Sequence, residues 1–412
     1  MRITILNQFY VPGLAPTGHL AASLAEHRAA HGDRVIVLTS RGGYVRAEAA
    51  SQDGGRDNPH VIRIWTPRLG KAHALKRILD YAVFYLQAAL RLLLIPRQDL
   101  IVSLTTPPFI ALAAVLYKIL HPATRLVLWN MDCYPEILER TGVVRERGLL
   151  DMLLLGINKA IFKRLDHLVC LDSAMLDLLT TRYYPSRATA PASVIPNWEP
   201  AALFPPDLQP ARWDEAGKMG ISGRFVVLYL GNAGFGHRFE SVLDAAGRLQ
   251  DHGVEFLFVG GGEKWDWIEK EAGSRSLDNI HLHPYVPKSV TPVVMAAADC
   301  ALITMNEAAL GVISPSKLHA NLAMKLPVLY VGPAGSNVDD ALRRFEAGAS
   351  LREGDVDGIV AFIQRLQADR AFYQHCSSQA RLAFDTVYND KVALPQFDRL
   401  IESPADRQAQ QG

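Results

Sequence analysis

Short apolar runs alternate with helical patterns along this chain, and the whole alternation occurs twice. In the first half, Ile3–Asn7, Arg34–Leu38, Val61–Trp65, Leu100–Leu104, Arg125–Trp129, His167–Leu171 and Ser193–Ile195 read as strands. Several are almost continuously apolar, as parallel strands covered on both faces are. Between them the spacing predicts helices over Gly18–His31, Ala74–Leu94, Pro108–Leu120 and Leu149–Lys163. Strands and helices in strict alternation predict an α/β fold with a doubly wound parallel sheet.

Near residue 200 the pattern stops. PNWEPAALFPPDLQPARW, with prolines at 196, 200, 205, 206 and 210, has no helical or strand period and reads as a linker. Strands then resume at Phe225–Leu230, Val254–Val259, Asn279–Leu282, Cys300–Thr304 and Pro327–Val331. Helices are expected at Arg238–Gln250, Trp265–Gly273, Val290–Ala297 and Ser316–Met324, and the tail from Gly358 to Ile401 reads as helical without a further strand. A length of 412 residues suits two or three domains at about 150 residues each. The expected organisation is therefore two doubly wound domains, 1–198 and 199–412, facing each other across a cleft at the carboxyl ends of their strands.

Charge narrows the function. Lys plus Arg number 43 and Asp plus Glu 42, so no bulk basic surface draws nucleic acid. Cysteines at 133, 170, 300 and 376 form no CxxC and no paired spacing, which argues against a disulfide framework or zinc site and suits a reducing cytosol. The first residues, MRITILNQFY, read as a strand rather than a signal peptide. No window reaches the eighteen or so uncharged apolar residues of a spanning helix. Tyr81–Ile95 comes near; with Lys76, Arg77 and Arg91 beside its apolar residues it reads either as a core helix or as one lying on a membrane.

Four strand ends of the second half carry turn-forming residues. Val226 to Ala246 runs from an apolar strand through Gly231, Gly234 and Gly236 to a helix expected at about His237. Glycines let backbone approach a ligand, and amides at a helix start attract phosphate. The spacing GxxGxG is not the dinucleotide fingerprint, and a plain strand-to-helix turn also explains it. In Gly311 to Pro333, Pro315 and Ser316 explain a helix start, Ser316 as its cap. Lys317 in the first turn opposes the helix dipole, a conflict that a bound anion would remove. Gly260, Gly261 and Gly262, and the LHPYVP segment with Tyr285 and Val286, complete the rim. Together they favour a nucleotide-like anionic ligand.

In the first half, Thr17, Gly18 and His19 open a helix after a long first loop, and LVLWNMDCYPEIL places Asn130, Asp132, Tyr134 and Glu136 after a strand. Asp132 reads equally as a helix cap or a catalytic group. Asp355 and Asp357 spell a DxD, but a following Gly358 and helical run make capping the better reading, and no metal site is expected.

The stretches APTGHLAASLAEH, WNMDCYPEIL, VIPNW, LYLGNAGFGH, FVGGGE, PYVP and SPSKLHANLA, in this order along nearly the whole chain, resemble the family 4 glycosyltransferases. Within them they resemble the bacterial exopolysaccharide and O-antigen type related to the colanic acid transferases. The resemblance implies a GT-B fold of two Rossmann-like domains, with donor nucleotide-sugar in the second and acceptor in the first. It also implies a final helix, about 388–402, that crosses back to the first domain. Where many members hold the donor diphosphate with Arg and Lys, this chain has Asn232 and His237. The load would fall on His237, Lys317 and glycine-turn amides, with Gly18, Gly231, Gly236, Gly261, Gly262, Tyr285, Val286, Pro315 and Ser316 around the donor. Ala320 stands where a ribose-binding Glu is common, Lys325 where Gly usually follows, and Asn306 and Glu307 are the nearest substitutes.

The implied activity is metal-independent hexosyl transfer with retention, from a nucleotide-diphosphate-sugar, a UDP-sugar, to the hydroxyl of a saccharide or lipid-linked saccharide. It would serve exopolysaccharide, O-antigen or other glycoconjugate synthesis, with no cofactor beyond the donor substrate and no nucleic acid. The implied location is cytoplasmic, at most peripheral to the inner face of the membrane. Lys317, His237 and Asp132 are the catalytic candidates, with His19 beside Asp132 on the acceptor side. A GT-B nucleotide-sugar epimerase and a degenerate donor-binding partner protein are the alternatives.

Overall fold

A computed structural model of the chain describes residues 1–13, 15–41, 58–67, 74–184, 190–208, 211 and 213–403, side chains of 74–78 excepted. The chain divides into two compact units, Met1–Leu171 with Met175–Ile195 and the chain from Leu394 onward, and Asp172–Ala174 with Pro196–Ala393.

In chain order the first unit contributes β1 (Arg2–Leu6), α1 (Pro16–Ala30), β2 (Arg34–Ser40), β3 (His60–Ile64), α2 (Ala74–Leu94), β4 (Leu100–Ser103) and α3 (Ala111–Leu120). There follow β5 (Arg125–Trp129), α4 (Glu136–Arg140), α5 (Leu149–Phe162), β6 (His167–Cys170), α6 (Ser173–Tyr183) and β7 (Ala192–Val194). Among the described residues these strands form one seven-stranded parallel sheet of order β3-β2-β1-β4-β5-β6-β7. β4, Leu-Ile-Val-Ser, is buried at every position, as a strand covered on both faces requires.

The second unit contains α7 (Asp214–Lys218), β8 (Phe225–Asn232), α8 (Glu240–Leu249), β9 (Val254–Gly261), α9 (Trp265–Ser274), β10 (Ile280–Pro284), α10 (Thr291–Met295) and β11 (Cys300–Thr304). It continues with α11 (Lys317–Ala323), β12 (Val328–Val331), α12 (Asn337–Phe345), β13 (Gly348–Leu351), α13 (Val356–Ala368) and α14 (Arg370–Thr386), and α15 (Asp390–Glu402) ends the described chain. Its six strands, again all parallel, run β10-β9-β8-β11-β12-β13. Alternation along β8 sends Val226 and Leu228 into one core layer and Val227 and Tyr229 into the other.

In the elements themselves the structure corrects three readings of the sequence, and it corrects others at the site. β13 was not expected, because Gly348-Ala-Ser-Leu351 is half-buried at an edge and lacks a β-branched run. The stretch read as a linker is not wholly free of the core: Phe204 and Trp213 are buried in the second unit's core. Pro108 does not begin a helix; α3 starts at Ala111, after Phe109 at φ +62.

From Leu394 the last helix belongs to the first unit. Phe397 packs on Trp129 with ring centroids 4.7 Å apart, and the Arg125 guanidinium donates to the carbonyls of Leu400 and Ile401. Arg28, almost fully buried in α1, meets Asp33, Asp398 and Glu402, so its charge is compensated where water cannot reach it.

Candidate functional site

The second sheet reverses its order between β8 and β11, and α/β sheets open a ligand crevice outside the carboxyl ends of their strands at such a point. Side chains from both strands' exits meet there. His237, in the loop after β8, places Nδ1 2.7 Å from the carbonyl of Thr304, the last residue of β11, and 3.1 Å from its hydroxyl. A carbonyl only accepts, so the proton is assigned to Nδ1 and the Nε2 lone pair is left over. Lys317 Nζ lies 3.1 Å from that Nε2 and donates to it. The ammonium also lies 3.3 Å from the Asn232 carbonyl and 4.8 Å from the centroid of the Tyr229 ring.

These neighbours are dipoles and a ring face. Among the described residues no carboxylate forms an ion pair with Lys317. Burial therefore pulls its pKa down to about 7. Burial, and then the nearby Lys317 charge, lower His237 to about 3, so the ring is neutral at ordinary pH. The two expected cations thus form one cation held by one neutral acceptor.

Gly231 makes room for this pair. Its φ is +130, and a Cβ there would stand 2.9 Å from Lys317 Cε. Gly231 and Asn232 are still strand, paired with Gly260 and Gly261, so the expected turn begins later, at Ala233. Nor does a helix start at His237; α8 begins at Glu240, and the intervening loop is tied down by Asn306, whose amide donates to the Phe235 carbonyl and whose N–H donates to that of Gly236. At Gly236 a Cβ would meet Ile313, at Gly261 the Tyr285 ring, and at Gly262 the Asn232 side chain. Tyr285 is exposed, whereas Val286 packs against the core.

Ser316 stands before α11, next to buried Pro315, but its hydroxyl caps no amide. Its backbone is already helical, with φ −73 and ψ −13, and a side-chain cap needs an extended residue there. Ala320 packs on the core, and Lys325 takes the left-handed φ of +61 that a glycine would adopt freely. Asn306 caps the short turn at Glu307, which is exposed. Asp355 accepts from the Gly358 N–H and caps α13, while Asp357 pairs with Arg248.

Gly18 and Asp132 belong to the first unit, and the cluster's residues to the second. Gly18, with His19 next to it in α1, is where the loop after β1 comes so near that a Cβ would be 3.0 Å from the Tyr10 nitrogen. Asp132 follows β5 and lines a small cavity with Thr105, Phe109, Asn130 and Tyr134. Thr105 Oγ1 accepts from the N–H groups of Met131 and Asp132 at 3.1 Å each, and burial raises the Asp132 pKa to about 6. Thr105, Tyr229 and Thr304 were missed because each reads as an ordinary strand or strand-end residue; only their spatial neighbours give them a role.

Residues 224–369 match the family model described as glycosyl transferases group 1. WcaI of Escherichia coli K12, named as a colanic acid biosynthesis glycosyl transferase, is 24% identical over 385 residues, 89% of this chain and 92% of that one. WbjE of Pseudomonas aeruginosa, named as a glycosyltransferase, is 26% identical over 273 residues, and the alignment spans 66% of each chain. Among solved structures, HepE of Anabaena in complex with UDP and glucose aligns over 98% of this chain and 100% of its own, with TM-score 0.69 and 14% identity. WaaG, a glycosyltransferase involved in lipopolysaccharide biosynthesis, aligns over 97% and 100%, with TM-score 0.65 and 19% identity. Two parallel-sheet units with these neighbours are the GT-B fold.

Proposed function

We propose that this chain, a glycosyltransferase of the group 1 type, takes a hexosyl group from a UDP-sugar and retains its anomeric configuration. The second unit binds the donor and the first unit the acceptor, a saccharide or lipid-linked saccharide in exopolysaccharide or O-antigen synthesis. Support for the nucleotide comes from HepE, whose structures hold UDP and UDP-glucose. Support for the pathway comes from the name of WcaI.

One observation carries the reading. Lys317 is held at a glycine-opened strand end by a neutral acceptor, and with no carboxylate partner among the described residues it is ready to meet an anion. In the reaction the acceptor oxygen forms a bond to the anomeric carbon as the carbon–oxygen bond to the diphosphate breaks. The acceptor proton passes to the departing phosphate oxygen, on the same face of the sugar. Negative charge grows on the diphosphate, and a preorganised ammonium stabilises that charge more than it stabilises the ground state. His237 orients Lys317. Asp132, with its raised pKa, positions the acceptor hydroxyl in the first unit.

Donor affinity should depend on pH. A diphosphate beside Lys317 restores the ammonium, so binding takes up a proton whenever the free protein has lost it. Above pH 7 calorimetric affinity for a UDP-sugar should fall with rising pH, by up to about tenfold per unit, and below pH 7 it should level off. Lys317→Ala should flatten the slope. Failure of every UDP-sugar to bind would remove the reading.

Lys317 supplies the positive charge that a divalent ion supplies elsewhere, so turnover should survive excess EDTA. Asp355 and Asp357 are occupied in capping and pairing; replacing both by Asn should leave activity near normal and cost about 1 kcal/mol of stability or less. Loss of turnover on chelation, restored by magnesium or manganese, would contradict this.

A further inference from the structure

His27 and His31 stand one turn apart at the carboxyl end of α1, where the last helix, α15, meets it. Asp398 of α15 joins them, and a donor atom from each of the three lies within 4.8 Å of the other two. The two imidazole rings are 4.2 Å apart between centroids. His27 places Nε2 2.8 Å from Asp398 Oδ2. His31 places Nδ1 2.8 Å from the His27 carbonyl, so its proton is assigned to Nδ1 and the Nε2 lone pair is left for a ligand. Metal-ligating histidines are oriented in this way, by a hydrogen bond from the other ring nitrogen to a carbonyl.

The carboxylate is prepared as well. Arg28 donates to Asp398 Oδ1 at 2.7 Å, and Oδ2 is the oxygen nearer His27. Burial works to raise the Asp398 pKa, but hydrogen bonds from His27 and Arg28 outweigh it and hold the carboxyl below its ordinary range. Arg28 also pairs with Asp33 and Glu402, so its charge is not spent on Asp398 alone. A cation here would in addition meet the negative end of the α1 dipole. In a tetrahedral zinc site with bonds of about 2.0–2.2 Å, donor atoms stand about 3.3 Å apart. His27 and Asp398 are already that near, and a small rotation of exposed His31 closes the remainder.

We propose that His27, His31 and Asp398 bind a zinc ion that clasps α15 to α1, with water completing its coordination. Two imidazoles and one carboxylate, with no thiolate, suit zinc, and histidines at i and i+4 of one helix are a recurrent zinc-ligand spacing. The ion takes the place of the proton between His27 Nε2 and Asp398, and that imidazole carries its proton on Nδ1 instead. The sequence reading expects no metal site, since neither the cysteines nor Asp355 and Asp357 offer one. Asp398 is 371 residues from His27 along the chain and joins it only where the two helices meet. The ion takes no part in the proposed transfer, so the inference does not depend on which sugar or acceptor the protein uses.

Zinc titration of the full chain, first stripped by chelator, tests it. Calorimetry should show one zinc bound per chain. His31→Ala should weaken that binding about tenfold or more, while the metal-free melting temperature stays unchanged because the side chain is exposed. His27→Gln should weaken it likewise, but it also removes a contact with α15, so His31→Ala carries the decision. An ion that binds only the folded chain stabilises it, so zinc should raise the melting temperature of the wild type more than that of His31→Ala. A wild type that binds no zinc would overturn the proposal. Equal affinity in wild type and His31→Ala would do the same, by placing the ion on others of the 13 histidines.

Discussion

Lys317→Ala should give a folded protein that turns over about thirty to a thousand times more slowly. The loss corresponds to roughly 2–4 kcal/mol of barrier, the usual effect of removing one preorganised charged contact from a reacting centre. Among the described residues in contact with Lys317 there is no second cation to replace the ammonium. Its partner His237 is neutral and holds its one proton on the Thr304 carbonyl. Most of the loss should fall on kcat, since the diphosphate gains charge as it leaves. Near-normal turnover by a folded Lys317→Ala protein would remove this residue from the mechanism.

Gly231→Ala should approach the same defect by a different route. The added Cβ would stand 2.9 Å from Lys317 Cε, and alanine disfavours a φ of +130. Of the two groups, the flexible lysine yields more easily than the paired strand, so the ammonium swings away from His237. A ten- to hundred-fold loss of turnover is expected, about 1.4–2.8 kcal/mol. The decisive reading is the double variant. If Gly231 acts through Lys317, adding Gly231→Ala to Lys317→Ala should cost no more than about 0.5 kcal/mol further. Full additivity would mean that Gly231 serves the donor or the strand by itself.

The sequence made the sheets legible and the site only partly so. β5 and β11 fall where their apolar runs predict, because a strand buried on both faces tolerates little else. β13 was illegible for the opposite reason: at the sheet edge, half-buried, it needs no such run. Lys317 could be singled out because a cation in a helix's first turn is unfavourable without a partner. Its relation to His237 could not, since the two lie 80 residues apart and meet only because β8 and β11 are neighbours. His237 on sequence alone reads as a second cation. Burial and the adjacent ammonium make it neutral, a fact of three-dimensional surroundings. Likewise Ser316 has the right residue type for a cap and the wrong backbone for one.

The most direct measurement is the mass of the product. Wild-type protein is incubated with single UDP-sugars and a saccharide-lipid fraction, and both products are followed. The account predicts that one donor yields an acceptor heavier by one hexosyl residue, with UDP released in equal amount and the anomeric configuration of the donor kept in the new linkage. A donor converted to its epimer with no acceptor present, or bound tightly with neither UDP nor a heavier acceptor formed, would contradict it.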